Sequence, residues 1–194
     1  MLIDDQLITP NGEELQREYL RHPGAVAVLA LDDQDRVAVV HQYRHPLSMR
    51  LVEPPAGLLD VDGEAPLAAA QRELAEEAGL KADRWNVLVD FANSPGISDE
   101  VARIYLARGL TAIARPAGFA LTGEEIDMGL DWLPLADGLA AIRQGLVNNV
   151  ALVLGLTALG LAMMDGGLDQ LRPGDSPWPA HEQARQLRLG LGDD

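Results

Sequence analysis

Two apolar runs, Ala25–Leu31 and Arg36–Gln42, flank the polar stretch Asp32-Asp33-Gln34-Asp35 and predict two strands joined by a hairpin loop. Their apolar residues stand at consecutive rather than alternate positions, so both faces of each strand should be covered. Over Pro66–Ala78 the period changes: Leu67, Ala70, Leu74 and Ala78 recur at helical spacing, Pro66 suits a first turn and Gly79 a C-terminal cap. Trp85–Phe91, Val101–Ala107 and Leu130–Leu133 predict further strands, the first two separated by a loop containing Ser94-Pro95-Gly96. Leu135–Gly145 and Asn149–Met164 predict two more helices, the second apolar nearly all round and therefore bound for a core or a subunit interface. Residues 1–23 are polar and mixed and end in the turn signal His22-Pro23-Gly24, and from Asp165 the chain is rich in Gly and Pro through Pro179. The expected organisation is an arm over 1–23, an α/β domain over 24–165 and a tail over 166–194.

Composition narrows what such a domain can do. The 194 residues are 47% hydrophobic and 23% charged, which suits one ordinary folded domain. Fifteen Lys and Arg stand against thirty Asp and Glu, a net charge of −15 that argues against binding nucleic acid or an anionic membrane through a basic surface. Lys81 is the only lysine, so no Gly-Lys-Ser/Thr phosphate loop exists, and there is no G-x-G-x-x-G. The absence of cysteine excludes disulfides and thiolate chemistry and fits a reducing compartment. Met1-Leu-Ile-Asp-Asp lacks the start of a secretory signal, and the apolar run Val150–Met164 is short of the roughly 20 residues that span a bilayer. A cytoplasmic location is expected.

The candidate chemistry lies on the helix over 66–78. At about 100° per residue, Glu73 and Glu77 fall one turn apart on one side with Glu76 beside them, while Leu67, Leu74 and Ala78 occupy a different face. Like charges at this spacing destabilise an isolated helix, so something should compensate. A hard divalent cation such as Mg²⁺ would, since it takes carboxylate oxygens and leaves positions for water and phosphate. A solvated acidic face, partly neutralised by Arg72 and Arg103, is the plainer alternative.

Neighbouring residues favour the metal. Glu64, seven residues, Arg72-Glu73-Leu74, Ala75, Glu76-Glu77, Ala78 and Gly79-Leu80 resemble the signature box of the Nudix hydrolases, with six residues rather than five between Gly57 and Glu64. Gln42-Tyr43-Arg44-His45-Pro46, Glu53-Pro54-Pro55-Ala56-Gly57 and Pro95 within Ser94–Glu100 are similar to the ADP-ribose pyrophosphatase branch, so that the resemblance covers roughly residues 17 to 164. It implies an α/β/α sandwich with a mixed sheet plus an N-terminal arm, and Mg²⁺-dependent hydrolysis (Mn²⁺ as substitute) of the diphosphate of ADP-ribose to AMP and ribose 5-phosphate. Other substrates for the same core are a nucleotide sugar or a dinucleoside polyphosphate, and a non-catalytic ADP-ribose-binding domain is the alternative from another class.

Carried over by position, the resemblance implies metal ligation by Glu73, Glu77 and the carbonyl of Ala56, with Glu76 assisting a second ion and Arg72 orienting carboxylates. Arg44 would hold the diphosphate or the neighbouring ribose. Ser94, Pro95, Gly96 and Glu100 would contact the substrate, and Arg17 and Tyr19 of the arm would reach a nucleotide across a homodimer. Tyr43 or Tyr19 is the candidate for stacking on adenine. For the general base the candidates are Glu125, its neighbour Glu124, and Glu76, with Asp127 a further metal contact. His41 and His45, four apart in a strand-to-loop segment, are not expected to meet.

Overall fold

The computed structural model describes residues 1–188 except Leu121, Thr122, Glu124, Glu125, Asp127 and Asp165. The first element is a hairpin of β1 (Leu2–Ile8) and β2 (Glu14–Leu20), paired antiparallel from Leu2↔Leu20 to Ile8↔Glu14. Its residues are mostly exposed, Leu2, Ile8 and Leu20 among them. The region read from sequence as an arm is thus a two-stranded ribbon.

Strand β3 (Ala25–Ala30) lies inside a mixed sheet: it runs parallel to β8 (Val101–Ala112) and antiparallel to the short β6 (Ala56–Leu58). Beyond β8 follow β7 (Leu80–Ala92) and β10 (Arg172–Pro173). Val26, Val28 and Ala30 pack on one face, with Leu74 and Ala70 of α1 (Pro66–Ala78). Ala27 and Leu29 pack on the other, with Leu152, Leu156 and Leu159 of α3 (Val150–Met164) and Leu135 at the start of α2 (Leu135–Arg143). Helices on both faces explain the uninterrupted apolar run, because neither side of β3 meets water.

Strand β4 (Arg36–Arg44) departs from the expected hairpin. Apart from one bridge, Leu31↔Val37, it leaves β3 and pairs with β5 (Met49–Glu53) and β9 (Gly129–Pro134) in a second, three-stranded sheet. The turn is closed by Asp32, whose carboxylate accepts from the backbone N–H of Gln34 and Arg36 and from the Arg36 guanidinium. The divergence opens a cleft between the two sheets.

Helix α3 buries Leu152, Gly155, Leu156, Leu159 and Gly160 and leaves Val150, Leu161 and Met164 exposed. Among the described residues no helix is long and apolar enough to cross a membrane.

Much of the region read as a tail packs on the domain. β10 pairs with Asn86 and Val87, Trp178 is buried, and α4 (Pro179–Arg188) returns to the arm, where Arg188 donates to the carbonyl of His22. Arg103, only 1% exposed, ties the segment down by donating to the carbonyls of Ser176 and Pro177 and to both oxygens of Asp90, with its guanidinium 4.7 Å from the Trp178 ring centre. Gly and Pro made the segment look open in sequence, but a buried cation with five donors can satisfy an irregular backbone that no ladder satisfies.

Candidate active site

Helix α1 begins on Pro66 and ends on Gly79, which adopts a left-handed φ of 62° and donates its N–H to the Ala75 carbonyl. Ala69, Ala70, Leu74 and Ala78 face the sheet. That packing fixes the helix's rotation and turns Glu73 and Glu77 into the cleft between the sheets.

The cleft has a volume of about 830 Å³. Of the residues singled out from sequence, Arg44, Ala56, Glu73, Glu77 and Glu100 line it, together with Gly57 and Arg72. Glu77 is buried, and its Oε2 accepts from the backbone N–H of Ala56 at 2.9 Å. Glu73 lies against Gly57 so closely that a Cβ there would sit 1.9 Å from its Oε1. The six-residue spacing before Glu64 therefore leaves Gly57 in place under the carboxylate.

Arg72 is the hub of the acidic stripe. It donates to both oxygens of Glu64, at 3.0 and 2.9 Å, to Glu73 Oε1 at 2.6 Å and to Glu76 Oε2 at 3.1 Å. Its hydrogen bonds hold the Glu64 carboxyl below the usual range, and the same bonds raise the guanidinium above its own. Like-charge repulsion along the stripe is thus relieved in part by one cation.

A divalent cation has a suitable donor set here. Glu73, Glu77 and Ala56 supply hard oxygens on one wall of one cleft, and Mg²⁺ needs only one or two carboxylates when substrate and water fill its other positions. Gly57 supports the fit, because its missing side chain is what lets the Glu73 carboxylate stand over the Ala56-Gly57 backbone. Among the described residues no three acidic or imidazole side chains form a ready-made cage.

The other expected residues are not brought together. Glu76 bonds to Arg72 and does not line the cleft. Ser94, Pro95 and Gly96 are exposed in the loop before Glu100 and lie outside the cleft lining, Ser94 with a left-handed φ of 53°. Glu100 Oε2 accepts from the Asn93 amide, and both residues line the cleft. Arg17 is exposed on β2 opposite Asp5, and Tyr19 lines a separate small pocket with Arg21 and Arg188. Tyr43 stands beside His45, whereas His41 pairs with Asp131 of β9. Glu125, Glu124, Thr122 and Asp127 lie outside the described residues.

Two cleft residues stand in the motifs quoted from the sequence but had no role assigned there. Glu53 is buried and pairs with Arg44 through both oxygens, at 3.0 and 2.5 Å, fixing the guanidinium at the cleft wall. Gln42 is buried two residues before Arg44. Strand alternation places Gln42 and Arg44 on one face, but nothing local reveals that the face borders a cleft.

A family model described as the NUDIX domain matches residues 20–149. An ADP-ribose pyrophosphatase of Mycobacterium tuberculosis is 44% identical over 174 residues, covering 90% of this chain and 82% of its own. A methanol dehydrogenase activator of Bacillus methanolicus is 38% identical over 81% of this chain and 83% of its own. The crystal structure of an ADP compounds hydrolase matches with a TM-score of 0.68 over 85% of this chain and 87% of its own, at 23% identity, a likeness of fold.

Proposed function

The chain belongs to the Nudix hydrolase family, and on that premise we propose that it hydrolyses the diphosphate bond of ADP-ribose to give AMP and ribose 5-phosphate, with Mg²⁺ as its metal and Mn²⁺ as a substitute. The observation that carries the reading is the placement of Glu73, Glu77, Ala56 and Arg44 around one cleft. The 44% identity to an ADP-ribose pyrophosphatase over nearly the whole chain supports the substrate.

In this reading Glu73, Glu77 and the Ala56 carbonyl hold the metal, and Arg72 keeps the carboxylates aimed. A bound divalent cation neutralises diphosphate oxygens and acidifies a water. Arg44, braced by Glu53, presents its planar fork to phosphate or ribose oxygens. Asn93 and Glu100 offer partners for sugar hydroxyls, with Ser94, Pro95 and Gly96 shaping the loop that carries them. Glu125 is the proposed base that takes the proton of the attacking water. The absence of Glu76 from the cleft wall speaks against Glu76 in that role. We further propose a homodimer, formed through the exposed apolar residues of the N-terminal ribbon, in which Arg17 reaches the partner's nucleotide, and a cytoplasmic location.

The test is incubation of the purified chain with ADP-ribose and Mg²⁺, with chromatographic detection of AMP and ribose 5-phosphate. Equimolar products that vanish in EDTA are expected. No AMP above the EDTA control would refute the proposal.

A further inference from the structure

A second concavity, of about 380 Å³, lies away from the cleft, where the N-terminal ribbon, the chain around residues 99–101 and helix α4 meet. Asp99 and Val101 face it, whereas Glu100 and Ala102 line the cleft, so the two spaces lie on opposite sides of one chain segment. Two arginines from segments far apart in sequence, Arg21 and Arg188, stand on its wall.

Neither arginine is paired with an acid. Among the described residues no carboxylate lies within ion-pair distance of either guanidinium, in a chain with thirty acidic residues. Arg21 makes one long side-chain bond into the pocket, 3.4 Å from its Nη2 to the Tyr19 hydroxyl, and its Nε is buried without a partner. Arg188 donates to the His22 carbonyl. Burial pushes the Arg188 guanidinium below its ordinary value; Asp99 opposes the shift, and the like charges of Arg21 and Arg185 add to it. Asp99 is the one acid on this wall among the described residues, and its Oδ1 is already engaged by the His22 backbone N–H at 2.7 Å. Partly desolvated guanidiniums that repel each other and lack a counter-charge are unfavourable to hold together, and a bound oxyanion removes the penalty.

The wall also indicates what accompanies the anion. Two planar forks on one space match the oxygens of a phosphate. The Tyr19 hydroxyl, the Gln183 amide and the Asp99 carboxylate suit hydroxyl groups, and Asp99 would repel a second phosphate. We propose that this pocket is a second ligand site, in which Arg21 and Arg188 hold the phosphate of a sugar phosphate while Asp99, Gln183 and Tyr19 bond its hydroxyls. Ribose 5-phosphate, a product of the proposed reaction, has this chemistry, but the site does not depend on that reading.

The test is calorimetric titration of the full chain in EDTA with ribose 5-phosphate and with inorganic phosphate, repeated on Arg21→Gln, Gln183→Ala and Arg44→Gln, with a thermal melt of each. The wild-type chain should bind ribose 5-phosphate about tenfold more tightly than inorganic phosphate, the effect of the hydroxyl bonds. Arg21→Gln should weaken both ligands about tenfold, the loss of a charge-assisted bond. Gln183→Ala should weaken ribose 5-phosphate and leave inorganic phosphate unchanged. Arg44→Gln, which alters the cleft, should keep the wild-type affinities. Ligand-free Arg21→Gln should melt no lower than wild type, since the side chain it loses makes one long bond. No binding by the wild-type chain, equal affinities for the two ligands, or binding lost in Arg44→Gln and kept in Arg21→Gln overturns the proposal. So does a lowered melt of Arg21→Gln with unchanged affinities, which would show that the arginine serves the fold. None of these readouts involves hydrolysis, so missing AMP release would refute the ADP-ribose assignment and leave the binding result standing.

Discussion

Replacing Gly57 by alanine should separate catalysis from folding. Gly57 is not among the glycines with positive φ, so its backbone accepts a side chain. The added Cβ, however, would lie 1.9 Å from Glu73 Oε1, 2.1 Å from its Cδ and 2.6 Å from its Cγ. The obstacle is the end of a flexible side chain, so the carboxylate gives way and the strand does not. To regain ordinary van der Waals contact at 3.4 Å, Oε1 must retreat by about 1.5 Å. That movement breaks its 2.6 Å bond from Arg72, which keeps Glu64 and Glu76. Loss of one partly exposed charge-assisted bond costs about 1 kcal/mol or less, or about 2–4 °C in melting temperature for a chain of this size. A catalytic group misplaced by about 1 Å costs on the order of 100-fold in rate, close to 2.7 kcal/mol. Turnover of ADP-ribose measured across Mg²⁺ concentrations, with a thermal melt of the same sample, should therefore show about 100-fold lower activity, a raised Mg²⁺ requirement and a nearly unchanged fold. Gly129→Ala, where an added Cβ meets nothing within 4 Å and φ is not positive, is the control and should retain wild-type activity. Full turnover in Gly57→Ala would refute the placement of Glu73 at the reacting centre, and a collapsed melt would show that the backbone takes the strain.

Other consequences follow from the same contacts. Glu77→Gln can still accept from the Ala56 N–H while losing its charge, so Mg²⁺-dependent AMP release should fall about 100-fold with an unshifted melt; wild-type turnover would exclude Glu77 as a ligand. Arg103→Ala leaves Asp90 with Arg172 alone and strands the carbonyls of Ser176 and Pro177. A loss of about 3–5 kcal/mol is expected, seen as a melting temperature lowered by about 10 °C and as red-shifted Trp178 emission. Burial alone would raise the Asp90 carboxyl, but hydrogen bonds from Arg103 and Arg172 outweigh it and hold the group below its ordinary value. The contribution of a depressed carboxyl is present above its unfolded pKa, about 3.9, and is lost as pH falls through the folded one. The gap in melting temperature between wild type and Arg103→Ala should therefore be smaller at pH 3 than at pH 6, the share owed to the Ser176 and Pro177 carbonyls persisting, and an equal gap at both would contradict the pairing.

The helix bearing the carboxylates was legible because its evidence is local. Period, Pro66, Gly79 and the spacing of Arg72, Glu73, Glu76 and Glu77 all reside within fifteen residues. The burial of β3 on both faces was legible for the same reason, since an unbroken apolar run leaves no solvent side. Where β4 goes was not: its apolar pattern is satisfied equally by pairing with β3 or with β5 and β9, and only the competition among strands selects the second sheet. The packed C-terminal segment was missed because its anchor, Arg103, lies some seventy residues away, on a strand whose pattern reads as ordinary core.

By itself, then, the amino-acid sequence determined which side chains this protein has for metal and phosphate chemistry and that three of its glutamates share one helical stripe. The tertiary structure decided which of them face a common space: Glu73 and Glu77 enter the cleft, Glu76 turns to Arg72, and Ser94–Gly96 stay outside. It also decided that Glu53 braces Arg44 and that Gln42 lines the same cleft. The reason is physical. Periodicity fixes a side chain's direction relative to its own element, whereas desolvation and hydrogen-bond pairing depend on what distant segments bring to the other side.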